Sequence, residues 1–540
     1  MTKYQLKFLI PKLLFLAVLM IIQTGCQPSS NNTNDNSVFR YNEHKNISSL
    51  DPAFAKDNAN IWAVNQLFNG LVQMGQDMTV KPCIAEAWEI SKDGKQYTFF
   101  LRSDVYFHQH KNFGAQRTRL VKAQDFVFSF NRLFDEKIAS PGGWVFNQIQ
   151  SFEILNDYTL QINLKQPFPA FLGILTMKYC SVVPKEIVED ASHDFRSNPI
   201  GTGPFLFKAW SENNKLVFRR NPNYFEYDSK GNQLPYLEAI AITFLPNKQS
   251  EYLQFIQGNL DFVSGLDASY KDDILNSDGT LNHKYRDIIK MAKAPYLNTE
   301  YLGFFMESDV KAVQSKVLRK AFNYGFDRQK MIDYLRNGIG IPGQGGVIPI
   351  GLEGSNDSIG FSYDPKKAKQ LINQFKTETG IQNPSVTIAT NENYLSFCEF
   401  IQRSLTDIGL DVKIDVMPAS ALKSAKANGK TDLFRASWVA DYPDAQNYLS
   451  LFYSKNFTPS GPNYTHFTNK EFDSMYDASM NEINLKKRVD LYRKMDRLVI
   501  DEAPVVILFY DEVVRLTQKH IIGLGVNATN LLDLKRVQKN

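Results

Sequence analysis

Between Val386 and Val416 the chain alternates strand, helix and strand, and this alternation constrains the fold more than any other feature. Val386-Thr387-Ile388-Ala389 reads as a strand, Tyr394 to Ile408 as a helix ending at Gly409, and Val412 to Val416 as a second strand. A strand, a helix closed by glycine and another strand form a βαβ unit, the building block of an α/β layer. Neighbouring helices are predicted at Ser315 to Phe326 and Gln329 to Arg336. A third spans Pro365 to Thr377, with Asp364 as N-cap and Pro365 at the first helical position. Earlier in the chain, Tyr97 to Arg102 and Thr159 to Leu164 read as strands of an antiparallel sheet. About 514 residues follow the first 26, too many for one core, so three or so domains are expected.

A further strand is predicted after Asp432, where Phe434, Ala436 and Trp438 alternate with more polar neighbours. It must end near Tyr442-Pro443, because proline cannot donate to a ladder and biases its predecessor to extended geometry. Arg435 and Asp441 therefore flank Trp438 at a strand mouth, where α/β proteins place ligands. At full extension roughly 20 Å at most would separate them. A fixed cation and a fixed anion with an indole between them suit a zwitterion carrying an apolar side chain. Two plainer roles stand beside that one: Asp441 capping a turn, and Arg435 pairing with a surface carboxylate. Aromatic residues reach 13%, with 25 Tyr and 39 Phe, more than a core needs and useful to a receptor for variable side chains.

Parts for catalysis are missing. The sequence has no Gly-x-Ser-x-Gly elbow, His-Glu-x-x-His pair, Cys-x-x-Cys pair or Walker lysine. Gly338 to Gly346 is glycine-rich, but Pro342 interrupts it and no Gly-Lys-Ser/Thr follows, so a mobile loop is expected there. The glycines of Gly201-Thr202-Gly203-Pro204 read as backbone requirements. Asp441 and Asp444 could be an acid and a base, yet Pro443 leaves no regular face to hold them in register. His108 and His110 lack a nearby cysteine or acidic ligand, so no metal site and no cofactor are expected. Cys83, Cys180 and Cys398 sit among apolar neighbours and are expected as buried free thiols.

The N-terminus indicates a compartment. Lys3, Lys7 and Lys12 precede an apolar run from Leu13 to Ile22, too short to span a bilayer and typical of an export signal over residues 1–25. Thr24-Gly25-Cys26 resembles a bacterial lipobox, with Gln23 where leucine is usual, and the resemblance implies that Cys26 is lipidated. Residues 26–37 are a polar tether, whose ten residues from Pro28 to Ser37 reach about 17 Å as a coil. Removing the three lysines takes the formal charge from +4 to +1, which implies neither nucleic acid nor an anionic membrane surface as partner.

Other phrases resemble a known family. Trp438-Val-Ala-Asp441-Tyr442-Pro-Asp444, continued by Ala445-Gln446-Asn447-Tyr448-Leu449, looks like a signature of the family 5 extracellular solute-binding proteins, the oligopeptide and dipeptide receptors of ABC importers. In order along the chain stand Ser49 to Pro52, Pro82 to Glu89, Asp93 to Phe99, Ala123 to Ser129, Pro199 to Phe205, Arg220 to Tyr224, Leu318 to Tyr324 and Asp501 to Val505. The stretch from Phe107-His108 to Asp125 departs from the family's shorter turn. The resemblance implies a mixed α/β, two-lobed fold with a two-crossing hinge. Its first lobe would be 38–78, 199–295 and 508–540, with an inserted domain at 79–198 and a second lobe at 296–507. It also implies that Asp441 holds a peptide's α-amine, that Arg435 meets its carboxylate at one length, and that Trp438 and Tyr442 help wall the pocket. The implied partners are a peptide and an ABC permease with its ATPase, the receptor being a monomer tethered by lipid. Rival readings are the same family binding an oligosaccharide, nickel chelate or haem, or a surface lipoprotein acting as sensor or adhesin.

Overall fold

A computed structural model describes residues 37–267 and 269–540; Cys26, the export signal and the tether before Ser37 lie outside the described residues. In chain order the strands that matter here are β1 (Val38–Asn42), β2 (Ala85–Ile90), β3 (Gln96–Leu101), β4 (Ile149–Asn156), β5 (Thr159–Leu164), β6 (Phe205–Ser211) and β7 (Lys215–Arg220). They continue with β8 (Ala239–Thr243), β9 (Phe262–Ser264), β10 (Ile289–Phe304), β11 (Ser385–Thr390), β12 (Asp411–Val416), β13 (Leu433–Val439) and β14 (Val505–Gln518). One large sheet runs β12-β11-β13-β10-β14-β9-β1-β8-β7-β6. Its first three strands come from residues 385–439 and its last five from residues 38–264, so only β10 and β14 belong to both halves. These two pair antiparallel on either side of a break between Pro295 and Thr299, where Pro295 brings no N–H to the ladder.

In the second half β11 lies parallel to both β12 and β13, as the βαβ pattern requires. The intervening helix is Leu395–Thr406, and Gly409 after it takes φ +97°, a left-handed value that favours glycine. The first predicted helix is Lys316–Tyr324, shorter at both ends than the pattern suggests. Ser315 stays outside because its side chain caps Leu318 N–H, and Asp327 already caps the following helix. Residues 85–164 build a separate antiparallel sheet, β2-β3-β5-β4, over a core that includes Phe99, Phe126, Phe130 and Phe146. Asp51, from the Ser-Leu-Asp-Pro phrase, ties this body to the rest through a two-point pair with Arg132 at 3.0 and 2.5 Å.

The expectation of a mobile loop over Gly338 to Gly346 is corrected. Ile341–Pro342 pairs with β14 opposite Tyr510 and Phe509, and Gly343 N–H donates to Leu508 at 3.1 Å. A Cβ on Gly346 would stand 1.8 Å from Asp496 Oδ2. The glycines are there because the segment packs hard against a crossing strand, not because it moves. His108 is likewise structural: it is buried, with Nε2 3.0 Å from Gly203 O and Nδ1 accepting from Gly201 N–H at 3.3 Å. Cys83, Cys180 and Cys398 are free and buried.

Helix α1 (Asn58–Leu67) ends against Gly201 and Gly203. A Cβ on Gly203 would come within 2.3 Å of the Leu67 carbonyl carbon, which is backbone and cannot swing aside. Gly203→Ala should therefore lower the melting temperature, costing about 1–3 kcal/mol as overpacking does. Gly114→Ala, where nothing lies within 4 Å, is the control for a general loss of glycine, though its φ of +76° carries a strain of its own.

Candidate ligand cleft

On β13, Phe434 and Ala436 face the buried core while Arg435 and Ser437 take the other face. The strand stops at Val439, and Ala440 N–H still reaches Leu297 O at 2.9 Å before the chain leaves the sheet. The turn that follows is held by Asn447. Its Oδ1 accepts from Trp438 Nε1 at 2.7 Å and from Asp441 N–H at 3.3 Å, and its Nδ2 donates to Asp441 Oδ2 at 3.4 Å. One amide thus orients both the indole and the carboxylate.

Asp441 opens onto a cavity of about 350 Å³, within the range of small-ligand sites. Tyr442 and Pro443 line it beside Asp441. The opposite walls are Asp57, Asn58 and Trp62 in and just before α1, Trp144 ahead of β4, Met177 to Tyr179 after β5, Tyr296 at the break in β10, and Thr529 and Leu531. Residues of both halves therefore enclose it. Asp441 is exposed to the cleft yet ringed by protein, and the loss of bulk water pushes its carboxyl pKa up; only the Asn447 amide pulls it back. No lysine, arginine or histidine pairs with it among the described residues. A larger cavity, about 440 Å³, lies between Tyr106 to His110 and Leu206-Phe207, but no acidic residue, lysine or arginine lines it.

The other predicted residues divide. Tyr442 is buried, hydrogen-bonded to Gln446, and packed on the core of the small sheet. A Cβ on Gly173 would lie 3.6 Å from Pro443 and 3.8 Å from Tyr442, so the two halves touch at this point. Trp438 is partly buried and stands outside the cavity wall. Arg435 is also away from the cavity. Its guanidinium pairs with Glu300 of β10 at 2.5 Å, with side-chain exposures of only 12% and 3%, and lies 3.2 Å over the Tyr394 ring. The partner is thus a buried carboxylate and not a surface one. Burial raises the Glu300 pKa, and Arg435 opposes that rise. Asp444 is fixed by Tyr492 at 2.8 Å and by Gln446 N–H at 2.9 Å.

Sequence reasoning missed Asn447, Glu300, Trp62, Trp144 and Lys178 as site-forming residues. Lys178 carried a signal, being a lone cation in the apolar stretch Met177 to Val183. Glu300 carried none, since 135 residues separate it from Arg435.

Residues 79–460 match the bacterial extracellular solute-binding proteins, family 5 middle region. The dipeptide-binding protein of Escherichia coli is 26% identical over 85% of this chain and 86% of its own length. Haem-binding protein A of Haemophilus influenzae is 29% identical over 89% of this chain and 88% of its own. Among solved structures, the periplasmic binding protein DppA of Helicobacter pylori, in complex with the peptide STSA, superposes with a TM-score of 0.74. It is 25% identical, covering 93% of this chain and 98% of that one. No helix of the described residues is long and apolar enough to cross a membrane. A two-lobed sheet joined by two crossing strands, with a cleft between the halves and a family match over most of its length, makes this chain a member of the family 5 extracellular solute-binding proteins, which serve ABC transporters outside the cytoplasm.

Proposed function

We propose that this protein captures a peptide between its two lobes and delivers it to an ABC permease for import, acting by binding and not by catalysis. The observation that carries the reading is Asp441, an anion without a cationic partner, facing a cavity walled by both halves. A peptide's α-amine supplies the missing cation through charge-assisted hydrogen bonds. Main-chain groups of the cleft then hold the extended ligand much as a strand adds to a sheet, which leaves side chains free to vary. Tyr442 walls the cleft, and Trp438 with Asn447 sets the turn that presents Asp441. In the same reading Cys26 carries the lipid that keeps a monomeric receptor at its membrane, and ATP is bound by the permease's partner subunits.

The 29% identity to a haem-binding protein makes haem the competing ligand. Thermal unfolding with a mixture of free peptides and, separately, with haemin separates the two. At about a hundred times its dissociation constant the true ligand should add roughly 2.7 kcal/mol. Peptides are expected to raise the melting temperature and to shrink the molecule in solution scattering as the lobes close. A shift with haemin alone, accompanied by a visible absorption band, would move the assignment to haem.

A further inference from the structure

A second, smaller chamber of about 40 Å³ adjoins the Asp441 cavity, and the two share Met74, Lys178, Thr529 and Leu531 in their walls. Two lysines line the chamber. Lys535 is fully engaged, with Nζ 2.8 Å from Glu226, 3.9 Å from Asp533 and 2.7 Å from Gln73 Oε1. Lys178 differs: among the described residues its ammonium has no ion pair and no hydrogen bond. Asp533 and the Cys83 thiol act on it only through space, Lys535 repels it, and burial pulls its pKa down. A half-buried cation without a partner is costly, and an incoming anion relieves that cost.

We infer that Lys178 is the anion anchor of the ligand site, receiving the C-terminal carboxylate of a short peptide whose amine is held by Asp441. This deepens the peptide reading above and rests on it. Arg435, the cation that the sequence points to, already has Glu300 as its counter-ion, whereas Lys178 lines the same cavity as Asp441 and has none. The chamber gives room for roughly three water-sized groups, enough for a carboxylate and too little for another residue. The ligand's chain ends there, which favours short zwitterionic peptides over long ones.

The test uses the full chain and three defined libraries of di- and tripeptides: free-acid, C-terminally amidated and N-terminally acetylated. Wild type should bind the amidated library about ten- to hundredfold more weakly than the free-acid one. Lys178→Met should bind the free-acid library with a similar loss and show no further loss on amidation, while Lys178→Arg restores much of the difference. Equal binding of free-acid and amidated libraries by wild type, or an undiminished amidation penalty in Lys178→Met, overturns the assignment of Lys178 while leaving the peptide reading intact. Binding of none of the three libraries removes the peptide reading itself. Should Lys178→Met fail to fold, Lys178→Gln, which keeps a polar side chain and removes the charge, is put through the same comparison: disappearance of the amidation penalty supports Lys178, and its persistence overturns the assignment.

Discussion

Asp441→Asn should weaken peptide binding by roughly two to four orders of magnitude. The substitution keeps the shape and removes the charge, and breaking one partner of a desolvated pair costs about 3–5 kcal/mol, with about 1.4 kcal/mol per tenfold. The empty receptor should be no less stable, because its Asp441 carboxylate is partly stripped of water and has no cation beside it. The sign of the pH dependence follows. Its folded pKa lies above the unfolded value, so the folded state keeps a proton that the unfolded state has released. Stability of the empty protein therefore falls as pH rises through that window, and Asp441→Asn abolishes this slope. Affinity runs the other way: an ammonium needs the ionised carboxylate, so binding should weaken as pH drops through the raised pKa. Calorimetric titration of wild type and variant across that range, with free and N-acetylated peptides, checks each part. Acetylation should damage wild-type binding about as much as the substitution does and add little to the variant's loss.

Arg435→Leu should have the largest effect on stability, about 3–5 kcal/mol, because it leaves Glu300 buried with no counter-ion. The loss should be smaller at acid pH. Burial already raises the Glu300 pKa, and removing Arg435 raises it further, so the variant recovers stability as Glu300 takes up a proton. Changing Arg435 and Glu300 together to leucine should recover much of the loss, since both partners of the pair then vanish. Denaturant melts of the two variants measure this. Peptide affinity of Arg435→Leu, taken below its melting temperature, should stay within a few-fold of wild type. A large loss that appears only with free-acid peptides would instead make Arg435 the carboxylate ligand.

Those two residues show how far the sequence reaches. Arg435 and Asp441 were legible because local rules govern them: a two-residue alternation sets the strand, and Pro443 ends it. The βαβ unit was legible for the same reason, its boundaries set by apolar spacing and by Gly409. Helix ends were less so, because Ser315 and Asp327 act as caps and trim what apolar spacing alone extends. What Arg435 touches was not legible at all. Glu300 lies on a crossing strand 135 residues earlier, and no local pattern records that β10 and β13 are neighbours. The glycines from 338 to 346 misled for a related reason: composition suggests looseness, while their use is close approach to β14 and Asp496. Lys178 stood in plain view as a cation in an apolar stretch, but only the fold brings it to the cavity of Asp441.

The central claim is that the cleft holds a peptide by its amine. Its most direct test is mass spectrometry of the small molecules released when the purified full-length protein is denatured. The account predicts a set of short peptides, varied in side chain, with free amino and carboxyl termini, and their absence from Asp441→Asn prepared in the same way. Release of haem or oligosaccharides in their place, or the same peptides from the variant in equal amount, would contradict it.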